Sequence, residues 1–414
     1  GFLNPSLEFI LRGDSFVIKS LTEKGSFLLR HLKAKLENHP HGTLCAKDGN
    51  SICFEITRTQ DFFSEETRSR QPSVFTVLRS ILEMFQLEDA SNSYFGLFGA
   101  FGYDLIRQFE EIESRLPRTA EDKDLHLYLP LTVTVVDRMK EVGFEYNFEV
   151  SDKQGSTRDL SSDSKIYPLP APAGDTSITC DHKPGEFAEK VRKVIKSTVA
   201  GDYFEVILSQ SFSTRFDHKP SDFFARLSQV NPSPYMFIIN LGGEHLVGAS
   251  PEIYARVTGK RFETCPISGT VRRGKDALED AAKVMALLSS EKEESELTMC
   301  TDVDRNDMAR VCIPGTVTVI GRRQLEFYSH LIHTVDHLEG TLAEGYDALD
   351  AFQTHMWACT VTGAPKPAAI QEIENLENSP RGWYSGAVGL ISVNGDLNTG
   401  ITLRTAHLAN GRAS

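Results

Sequence analysis

The sequence predicts an α+β fold built on antiparallel strands. Its strongest local signal is a hairpin, in which strand-like residues 387–393 and 396–408 flank the turn Asn394-Gly395. Further strand-like stretches are separated by amphipathic helices, which favours α+β over a doubly wound parallel sheet. The chain also contains no Walker A motif and no G-x-G-x-x-G motif followed by an acidic residue, so neither nucleotide-binding α/β fold is indicated.

Composition narrows the class of protein. With 414 residues, of which 40% are apolar and 24% charged, the chain resembles a soluble globular protein of two to three domains or one large interleaved domain. The formal net charge of −13 argues against nucleic acid as a partner, although a local pocket can still bind an anion. No stretch approaches about 18 consecutive apolar residues, so we expect no membrane-spanning helix and no membrane partner.

The cysteines indicate a reducing compartment. Seven are present, they are scattered, and none forms a C-x-x-C pair, which indicates neither a disulfide scaffold nor a zinc ribbon. We therefore expect a cytoplasmic protein. Small buried thiols are expected at Cys265, Cys300, Cys312 and Cys359.

A shift in composition divides the chain. Residues 151–178 are rich in Ser, Asp, Gly and Pro and have almost no apolar periodicity, which predicts a surface connection. We therefore expect an N-terminal α+β part over 1–165 and a second part over 179–414. In the first part, 74–87 is predicted as a buried helix and 129–137 as a β-branched strand.

The second part has clearer signals for individual elements. Strands are predicted at 236–240, 252–258 and 261–267, and helices at 276–290 and 367–378. Ser221 is expected to cap a helix over 222–230. A further helix begins after Pro184-Gly185 and carries one apolar stripe, formed by Phe187, Val191, Val194, Ile195 and Val199.

Two acids in this part are candidate metal ligands. Glu293 and Glu296 are three residues apart, so their carboxylates share one face if the segment is helical. Two nearby carboxylates together with substrate oxygens suit Mg²⁺, which keeps several waters and takes few protein ligands. The alternative is a solvated acidic helix face, and the spacing alone does not decide between the two.

Three histidines lie close together at His330, His333 and His337. Their β-branched neighbours favour a strand, on which His333 and His337 share one face and His330 points to the other. This arrangement disfavours zinc and makes one histidine a candidate general acid or base. The alternative for each is a hydrogen-bonded structural histidine.

Two glycine turns are candidate anion sites. One is CPISGT at 265–270, followed by Arg272 and Arg273, and the other is TVTGAPK at 360–366, just before a predicted helix. The first N–H groups of that helix could hold a carboxylate. No G-x-S-x-G or G-x-C-x-G elbow is present, so the sequence offers no nucleophile triad.

Taken in order, these segments resemble the chorismate-utilising enzyme family. The resemblance covers roughly 184–414, and GLFGAFGYDL at 96–105 extends it into the N-terminal part. Within the family the chain is most similar to the anthranilate synthase component I branch, in particular to the bacterial form that is fused to its glutaminase. The matching blocks are GDYFEVILSQSF, NPSPYMF, LVGASPE, CPISGT-x-x-RG, SELTMCTDVDRNDMARVC, YSHLIHTVDHLEG, TVTGAPK, YSGAVG and NTGITLRTA.

The resemblance implies a fold and a set of site residues. The fold is that of component I, in which two packed antiparallel sheets are covered by outer helices. Mg²⁺ is expected on Glu293 and Glu296, with Glu296 as the ligand that faces the ring carboxylate of chorismate. His333 is expected to assist departure of the ring C4 hydroxyl. The substrate's carboxylates are expected at Thr270, Gly363, Ala364, Tyr384 and Arg404.

The resemblance also implies regulation and assembly. Residues 1–165 are expected to have a regulatory role and 179–414 to be catalytic, with Mg²⁺ as the cofactor. Tryptophan is the expected inhibitor, and a homo-oligomer is expected. Part of the feedback site for tryptophan is expected at Asn231, Pro232, Ser233, Pro234, Tyr235 and Met236.

Two positions distinguish members of the family. Aminodeoxychorismate synthases carry a nucleophilic Lys where this chain has Ser268, and isochorismate and salicylate synthases use a Lys where it has Glu205. Without either Lys, we expect ammonia from a glutaminase subunit or fused domain to attack C2 of chorismate. The expected products are anthranilate and pyruvate, in the first step of the tryptophan branch. Catalytic roles are then expected for His333, Thr270 and Glu205, with Glu205 handling protons near C2.

The family pattern is interrupted at the end of the sequence. Beyond the hairpin the family has a Gly-rich turn, a further Glu on Mg²⁺ and a Lys near the substrate, whereas this sequence ends at Ser414. We expect the native chain to continue and to pair beside the hairpin strand, so that its intact mass exceeds 46.1 kDa.

Two other functions are alternatives to the synthesis of anthranilate. The protein could be an aminodeoxyisochorismate synthase, or a catalytically incomplete, tryptophan-binding regulatory or scaffold protein.

Overall fold

The computed structural model describes residues 1–59, 63–64, 67–89, 92–153, 155–164 and 175–414. The predicted surface connection at 151–178 lies partly outside these residues. None of the helices in the described ranges combines the length and the apolarity needed to cross a membrane.

Helices and strands alternate irregularly along the described residues. The helices there are α1 Glu23–Leu36, α2 Val74–Leu82, α3 Glu186–Ala200, α4 Pro220–Val230, α5 Ala277–Leu288, α6 Glu291–Ala309, α7 Ala348–Thr354, α8 Cys359–Thr362 and α9 Lys366–Leu376. The strands of the first half are β1 Leu7–Arg12, β2 Ser15–Ser20, β3 Gly42–Asp48, β4 Ser51–Ile56, β5 Gly96–Phe101, β6 Leu125–Leu129, β7 Thr132–Asp137, β8 Val142–Asn147, β9 Ser151–Asp152 and β10 Gly155–Ser156. Those of the second half are β11 Thr179–Cys180, β12 Glu205–Val206, β13 Phe212–Arg215, β14 Tyr235–Asn240, β15 His245–Ser250, β16 Ile253–Thr258, β17 Arg261–Thr264, β18 Ile267–Arg272, β19 Thr318–Phe327, β20 Leu331–Thr341, β21 Gly363–Ala364, β22 Ala387–Ser392, β23 Leu397–Ile401, β24 Thr405–Ala409 and β25 Arg412–Ala413.

A 13-stranded antiparallel sheet includes strands from both halves of the chain. Its order is β18-β20-β17-β16-β23-β22-β5-β6-β1-β2-β4-β3, with β19 paired to β20. The halves meet where β22 pairs with β5 over six residue pairs, from Ala387 opposite Phe101 to Ser392 opposite Gly96. The two parts defined from sequence therefore share one sheet, and their separate functional roles stay predictions.

A six-stranded antiparallel sheet packs on the large one. Its order is β11-β13-β25-β24-β15-β14. The contact between the sheets is a small apolar cluster, formed by Ala100, Tyr128, Leu241, Leu246, Trp383 and Val388. Two packed antiparallel sheets with helices outside confirm the predicted α+β class.

The predicted hairpin strand 396–408 is divided between the two sheets. β23 pairs with β22 in the large sheet, whereas β24 pairs with β15 in the small one. The chain crosses between them through Arg404, whose φ of 52° lies in the left-handed region that non-glycine residues rarely adopt. Period-two alternation continues through such a crossing, so the pattern alone predicts one long strand.

The main core holds α7 against the large sheet. The ring of Phe352 on α7 lies 4.6 Å from that of Phe101 and 4.7 Å from that of Tyr254, and all three side chains are fully buried. Trp357, also fully buried, donates its indole N–H to the carbonyl of Tyr103 at 2.7 Å. Aromatic burial of this kind immobilises the segment that leads into α8 and the turn at 363–364.

Three sequence predictions need correction at helix ends and faces. The helix predicted over 74–87 ends at Leu82. Ser221 is not a cap, because α4 begins at Pro220 with Lys219 as its N-cap, and a proline at the first helical position is already preorganised. The stripe of α3 is not buried as a whole: Val194 is buried, but Ile195 is 55% and Val199 is 84% exposed.

Candidate active site

Most of the predicted site residues lie where the first strands of the large sheet meet α6. β18 and β20 pair so that Thr270 stands opposite His333, and α6 packs against both strands. On the other side of α6, β12 pairs with β21 so that Glu205 stands opposite Ala364. Five elements from different parts of the sequence therefore form one site.

The two acids on α6 are partly exposed and share one cation. The Oγ of Ser290 caps the helix by accepting from the N–H of Glu293 at 3.3 Å. The ammonium of Lys292 lies 3.2 Å from Glu293 Oε1 and 2.8 Å from Glu296 Oε2. Their side chains are 23% and 29% exposed, against 74% for Lys292. An exposed ammonium thus pairs with two carboxylates, and their hard oxygen atoms are donors that fit Mg²⁺.

Gly269 allows β18 and β20 to approach each other at the 267–270 turn. Its φ is +84°, and a Cβ at this position would lie 2.4 Å from Thr334 Oγ1 on β20. Any other residue would therefore be strained and would clash with that hydroxyl. The turn holds Thr270 opposite His333, and a Cβ on Gly269 would be at contact distance, 3.4 Å, from Glu293 Oε2 on α6.

His333 is buried between a hydroxyl and a guanidinium. Its Nδ1 lies 2.8 Å from Thr270 Oγ1, and Arg404 donates from Nη2 to its Nε2 at 2.8 Å. Because arginine only donates, Nε2 accepts and the neutral ring carries its proton on Nδ1. Burial, together with the charge of Arg404, lowers the pKa of His333 to about 4. The histidine is therefore neutral at physiological pH.

Arg404 retains a donor that no protein group uses. Among the described residues its Nη1 is buried and has no hydrogen-bond partner. A buried donor without a partner costs roughly 1–3 kcal/mol, so it is retained where a ligand can satisfy it. Planar guanidinium donors match carboxylates particularly well. Arg404 thus has the chemistry expected of a residue that binds a carboxylate.

Sequence reasoning missed Glu252, which lies between the two turns of the site. It is 3% exposed and accepts from Thr360 Oγ1 at 2.9 Å and from the N–H of Ile267 at 3.4 Å. Burial, together with the nearby charge of Asp304, raises its pKa to about 8. In the block LVGASPE this acid directly follows a proline and a buried strand. A single acid at the end of an apolar strand was the available signal for a functional carboxyl.

Glu205 is a second acid with a raised pKa. Its Oε2 is buried and has no hydrogen-bond partner among the described residues. Burial, together with the charge of Glu296, raises its pKa to about 7. Glu205 therefore exchanges a proton near neutral pH, as a general base or acid requires.

The turn at 363–364 is held in place by a buried ion pair. Gly363 has a φ of +122°, and a Cβ there would lie 2.2 Å from the carbonyl oxygen of Glu205, so only glycine fits. Just beyond the turn, Lys366 Nζ lies 2.5 Å from Asp307 Oδ2 and 2.9 Å from the carbonyl of His355. The Gly363 N–H caps α8 by donating to Cys359, so it is not free for a ligand in this structure.

Tyr384 lies apart from the cluster around His333. Its ring faces the guanidinium of Arg381 at 5.2 Å, and Arg381 in turn donates to the carbonyl of Val361 at 2.7 Å. Tyr384 lines a cavity of about 710 Å³ that also contains Trp383 and His407. Among the contacts of the described residues, none joins Tyr384 to His333.

The predicted feedback segment lies at the edge of the small sheet. Asn231 caps the end of α4, and β14 begins at Tyr235, whose hydroxyl donates to Asn398 Oδ1 at 2.8 Å. His330, outside β20, donates from Nε2 to the carbonyl of Val230 at 3.0 Å. This bond connects the end of α4 to the loop that precedes His333.

The three predicted histidines have different partners. His337 lies on β20, and its ring nitrogens are 3.4 Å from Cys265 Sγ and 3.6 Å from Glu326 Oε1. His330 contacts α4, whereas His333 contacts Thr270 and Arg404. The structure thus brings His333, and not the other two, to the predicted substrate residues.

Comparisons with known proteins show the family to which this chain belongs. Residues 37–414 match the family described as chorismate binding enzyme. The chain is 47% identical over its whole length to a protein of Azospirillum brasilense named anthranilate synthase, and it covers 56% of that protein. It is 35% identical over 77% of its length to anthranilate synthase component 1 of Acetivibrio thermocellus, of which it covers 68%.

A solved structure shows the same fold. The crystal structure of anthranilate synthase component I from Streptococcus pneumoniae TIGR4 superimposes with a TM-score of 0.71 at 25% sequence identity. The match covers 99% of this chain and 84% of that one. Against the Azospirillum protein, in contrast, the chain spans little more than half the length of its relative.

Proposed function

Because this chain belongs to the chorismate binding enzyme family, we propose that the native protein converts chorismate and ammonia to anthranilate, pyruvate and water. The observation that carries the proposal is the linked set of Thr270, His333 and Arg404 beside the acid pair of α6. Ser268 and Glu205 stand where relatives with other products carry Lys. Ammonia therefore remains as the nucleophile.

Glu293 and Glu296 are the residues that would hold Mg²⁺. When bound, the cation draws negative charge from the ring carboxylate of the substrate and so makes the ring easier to attack. Lys292 is mostly exposed, so its ammonium can leave the acid pair without a large desolvation cost. The two acids are held by a capped helix and are therefore already in position.

Arg404 is the proposed partner of a substrate carboxylate. Its buried Nη1 supplies a charge-assisted hydrogen bond that the protein itself leaves open. Thr270 and the turn at Gly363 and Ala364 are proposed to bind the substrate as well. Tyr384 is proposed to reach it from the adjoining cavity.

Two acids with raised pKa values are proposed to move the protons. Attack of ammonia at C2 expels the C4 hydroxyl, which needs a proton to leave as water. Glu252 keeps its proton up to about pH 8 and can donate it, while neutral His333 donates from Nδ1 to Thr270 Oγ1 and so orients that hydroxyl. Glu205, with a pKa of about 7, is proposed to remove the proton from C2 as pyruvate is eliminated and the ring becomes aromatic.

Ammonia supply and regulation form a further part of the proposal. A glutaminase, as a separate subunit or a fused domain, is proposed to release ammonia from glutamine. Tryptophan is proposed to bind at Asn231–Met236 and to inhibit. The bond from His330 to Val230 offers a direct route from that segment to His333.

Product analysis tests the reaction. The native protein is incubated with chorismate, Mg²⁺ and an ammonium salt, and the products are separated and weighed by mass spectrometry. We expect fluorescent anthranilate and one pyruvate per turnover. Accumulation of aminodeoxyisochorismate without pyruvate, of a 4-amino product or of isochorismate would contradict the proposal, and so would an absence of turnover.

A further inference from the structure

Two buried thiols lie directly behind the acid pair of α6. Cys300 follows Glu296 by one helical turn, and Cys359 is the first residue of α8. They are 1% and 0% exposed, respectively. Together with Glu205 they form a trio in which one ligand atom from each residue lies within 4.8 Å of the others.

The spacing of the trio suits a metal ion. Tetrahedral zinc with Zn–S bonds of about 2.3 Å separates its sulfur ligands by about 3.8 Å, so small side-chain movements would complete the site. Two sulfurs and one carboxylate oxygen are the donors of a thiophilic cation, whereas Mg²⁺ requires oxygen donors. The trio therefore differs in chemistry from the acid pair that faces the substrate.

A second observation points to a ligand in the same place. Glu205 directs an oxygen, Oε2, that is buried and lacks a hydrogen-bond partner among the described residues. The surroundings of the thiols are apolar, with Ala364, Met299 and Val303 in contact. An orphan carboxylate oxygen beside two thiols in apolar surroundings is a group that a cation would satisfy.

In two other clusters of the described residues, a carboxylate oxygen already has a partner. Asp304, Asp307 and His355 also lie within ligand distance of one another, but the ammonium of Lys366 already pairs with Asp307. In the cluster of Cys265, His337 and Glu326, the carboxylate already accepts from the hydroxyl of Tyr328 at 2.6 Å.

We propose that Glu205, Cys300 and Cys359 form a binding site for a thiophilic divalent cation of the Zn²⁺ or Cd²⁺ class. Binding releases the two thiol protons to solvent, and the two thiolates and the carboxylate then carry three negative charges against the two positive charges of the ion. The site is separate from the proposed Mg²⁺ site on Glu293 and Glu296.

An occupied site would also stop turnover, and this part rests on the proposed function. The cation would hold the carboxylate of Glu205, which could then no longer take a proton near C2. It would also tie α6 to the start of α8, and so fix the acid pair relative to the turn at 363–364.

Cadmium binding tests the site without any need for turnover. Cd²⁺ is titrated into the reduced native protein in excess Mg²⁺, and the ultraviolet absorption of the thiolate–cadmium bond is recorded. We expect one high-affinity ion with the absorption of two thiolates. Loss of an outer-shell group costs about 10- to 100-fold in metal affinity, so Cys300→Ser and Cys359→Ser should each weaken binding by at least about 100-fold.

Matched variants separate this site from the rest of the protein. Cys312→Ser removes a buried thiol outside the trio and should leave the titration unchanged. Cys300→Ala, with no polar atom to bury, should behave like Cys300→Ser, and near-ultraviolet circular dichroism verifies that both remain folded. Undiminished Cd²⁺ binding in both Cys300→Ser and Cys300→Ala would overturn the proposal. Loss of binding in Cys265→Ser alone would overturn it as well.

Inhibition is measured in the same samples. Cd²⁺ should inhibit the wild type and should spare any residual activity of Cys300→Ser. Stoichiometric binding without inhibition would overturn the regulatory part. Binding in a protein that makes no anthranilate would instead contradict the proposed function and leave the metal site supported.

Discussion

The outer and inner ends of the candidate site hold their acids in opposite ways. At the outer end, Glu293 and Glu296 are partly exposed on a capped helix and share the surface ammonium of Lys292. At the inner end, Glu252 is enclosed and its pKa is raised to about 8. Burial disfavours the charged form of a carboxyl, whereas exposure beside a cation preserves it. The comparison indicates that the outer acids are placed to offer oxygen atoms to a cation, whereas the enclosed inner acid is placed to hold and transfer a proton.

The strongest test of the outer end is Glu296→Gln. Removal of one charged ligand should lower Mg²⁺-dependent turnover by roughly 1000-fold, which is the upper range for a lost electrostatic contact at a reaction centre. The free energy of unfolding should change by no more than about 0.5 kcal/mol, because the side chain is partly solvated. Steady-state kinetics and urea unfolding measure the two quantities.

Glu291→Gln is the matched control for that variant. Glu291 lies in the first turn of the same helix, is exposed and belongs to no described metal or substrate contact. Its turnover should remain near that of the wild type. Full activity in Glu296→Gln would instead favour the alternative of a solvated acidic face.

The inner end is tested by Glu252→Gln. The amide keeps the shape of the protonated acid but cannot give up a proton, so turnover should fall by about 100-fold. The hydrogen bond to Thr360 should persist, and the unfolding free energy at pH 4, where the acid is protonated in both the folded and the unfolded protein, should change little.

The same variant should alter the pH dependence of stability. The folded pKa of Glu252, about 8, lies above its ordinary value, so the stability that the protonated acid contributes is complete only below about pH 4.5. That contribution declines as the pH rises towards 8. Glu252→Gln removes the decline, so above pH 8 it should be more stable than the wild type by more than about 1 kcal/mol. Parallel pH profiles for the two proteins would contradict the raised pKa.

Arg404→Gln tests the link between substrate binding and His333. A charged hydrogen bond contributes roughly 1.5–3 kcal/mol, so KM for chorismate should rise about 10- to 100-fold. The pKa of His333 should also rise from about 4, because one of the two causes that lower it is removed, but should stay below 6.5 because burial remains. Nuclear magnetic resonance titration of the His333 ring measures this shift. An unchanged pKa would contradict the proposed effect of Arg404 on His333.

Lys292→Met should have the smallest effect and the opposite sign. Exposed ion pairs contribute roughly 0.2–1 kcal/mol, so removal of the competing ammonium should tighten Mg²⁺ binding by about two- to fivefold. Activity at limiting Mg²⁺ measures the change. Weaker binding would mean that the ammonium helps to position the acids.

Local elements of the site could be predicted from sequence because their signals are local. The acid spacing of Glu293 and Glu296 and the β-branched neighbours of His333 correctly predicted a helix and a strand. The chorismate-utilising blocks then identified the family. Motif order and short-range periodicity therefore carry much of the fold and most of the candidate site.

Long-range features could not be predicted in the same way. The crossing at Arg404, which brings its guanidinium to His333, depends on a single residue in the left-handed region. The raised pKa of Glu252 depends on enclosure by segments more than 100 residues away in sequence, such as the one that contains Thr360. The apolar stripe of α3 correctly predicted a helix, but part of that stripe is exposed. A helical pattern therefore does not show which element, if any, packs against it.

Direct measurement of metal binding in variants of the outer and the inner acid tests the central claim. Mn²⁺, which substitutes for Mg²⁺ and is visible by electron paramagnetic resonance, is titrated into the wild type, Glu296→Gln and Glu252→Gln. We predict that both variants lose turnover but that only Glu296→Gln loses the bound ion. Retention of the ion by Glu296→Gln, or its loss from Glu252→Gln, would contradict the assignment of cation binding to the outer acids and proton transfer to the inner one.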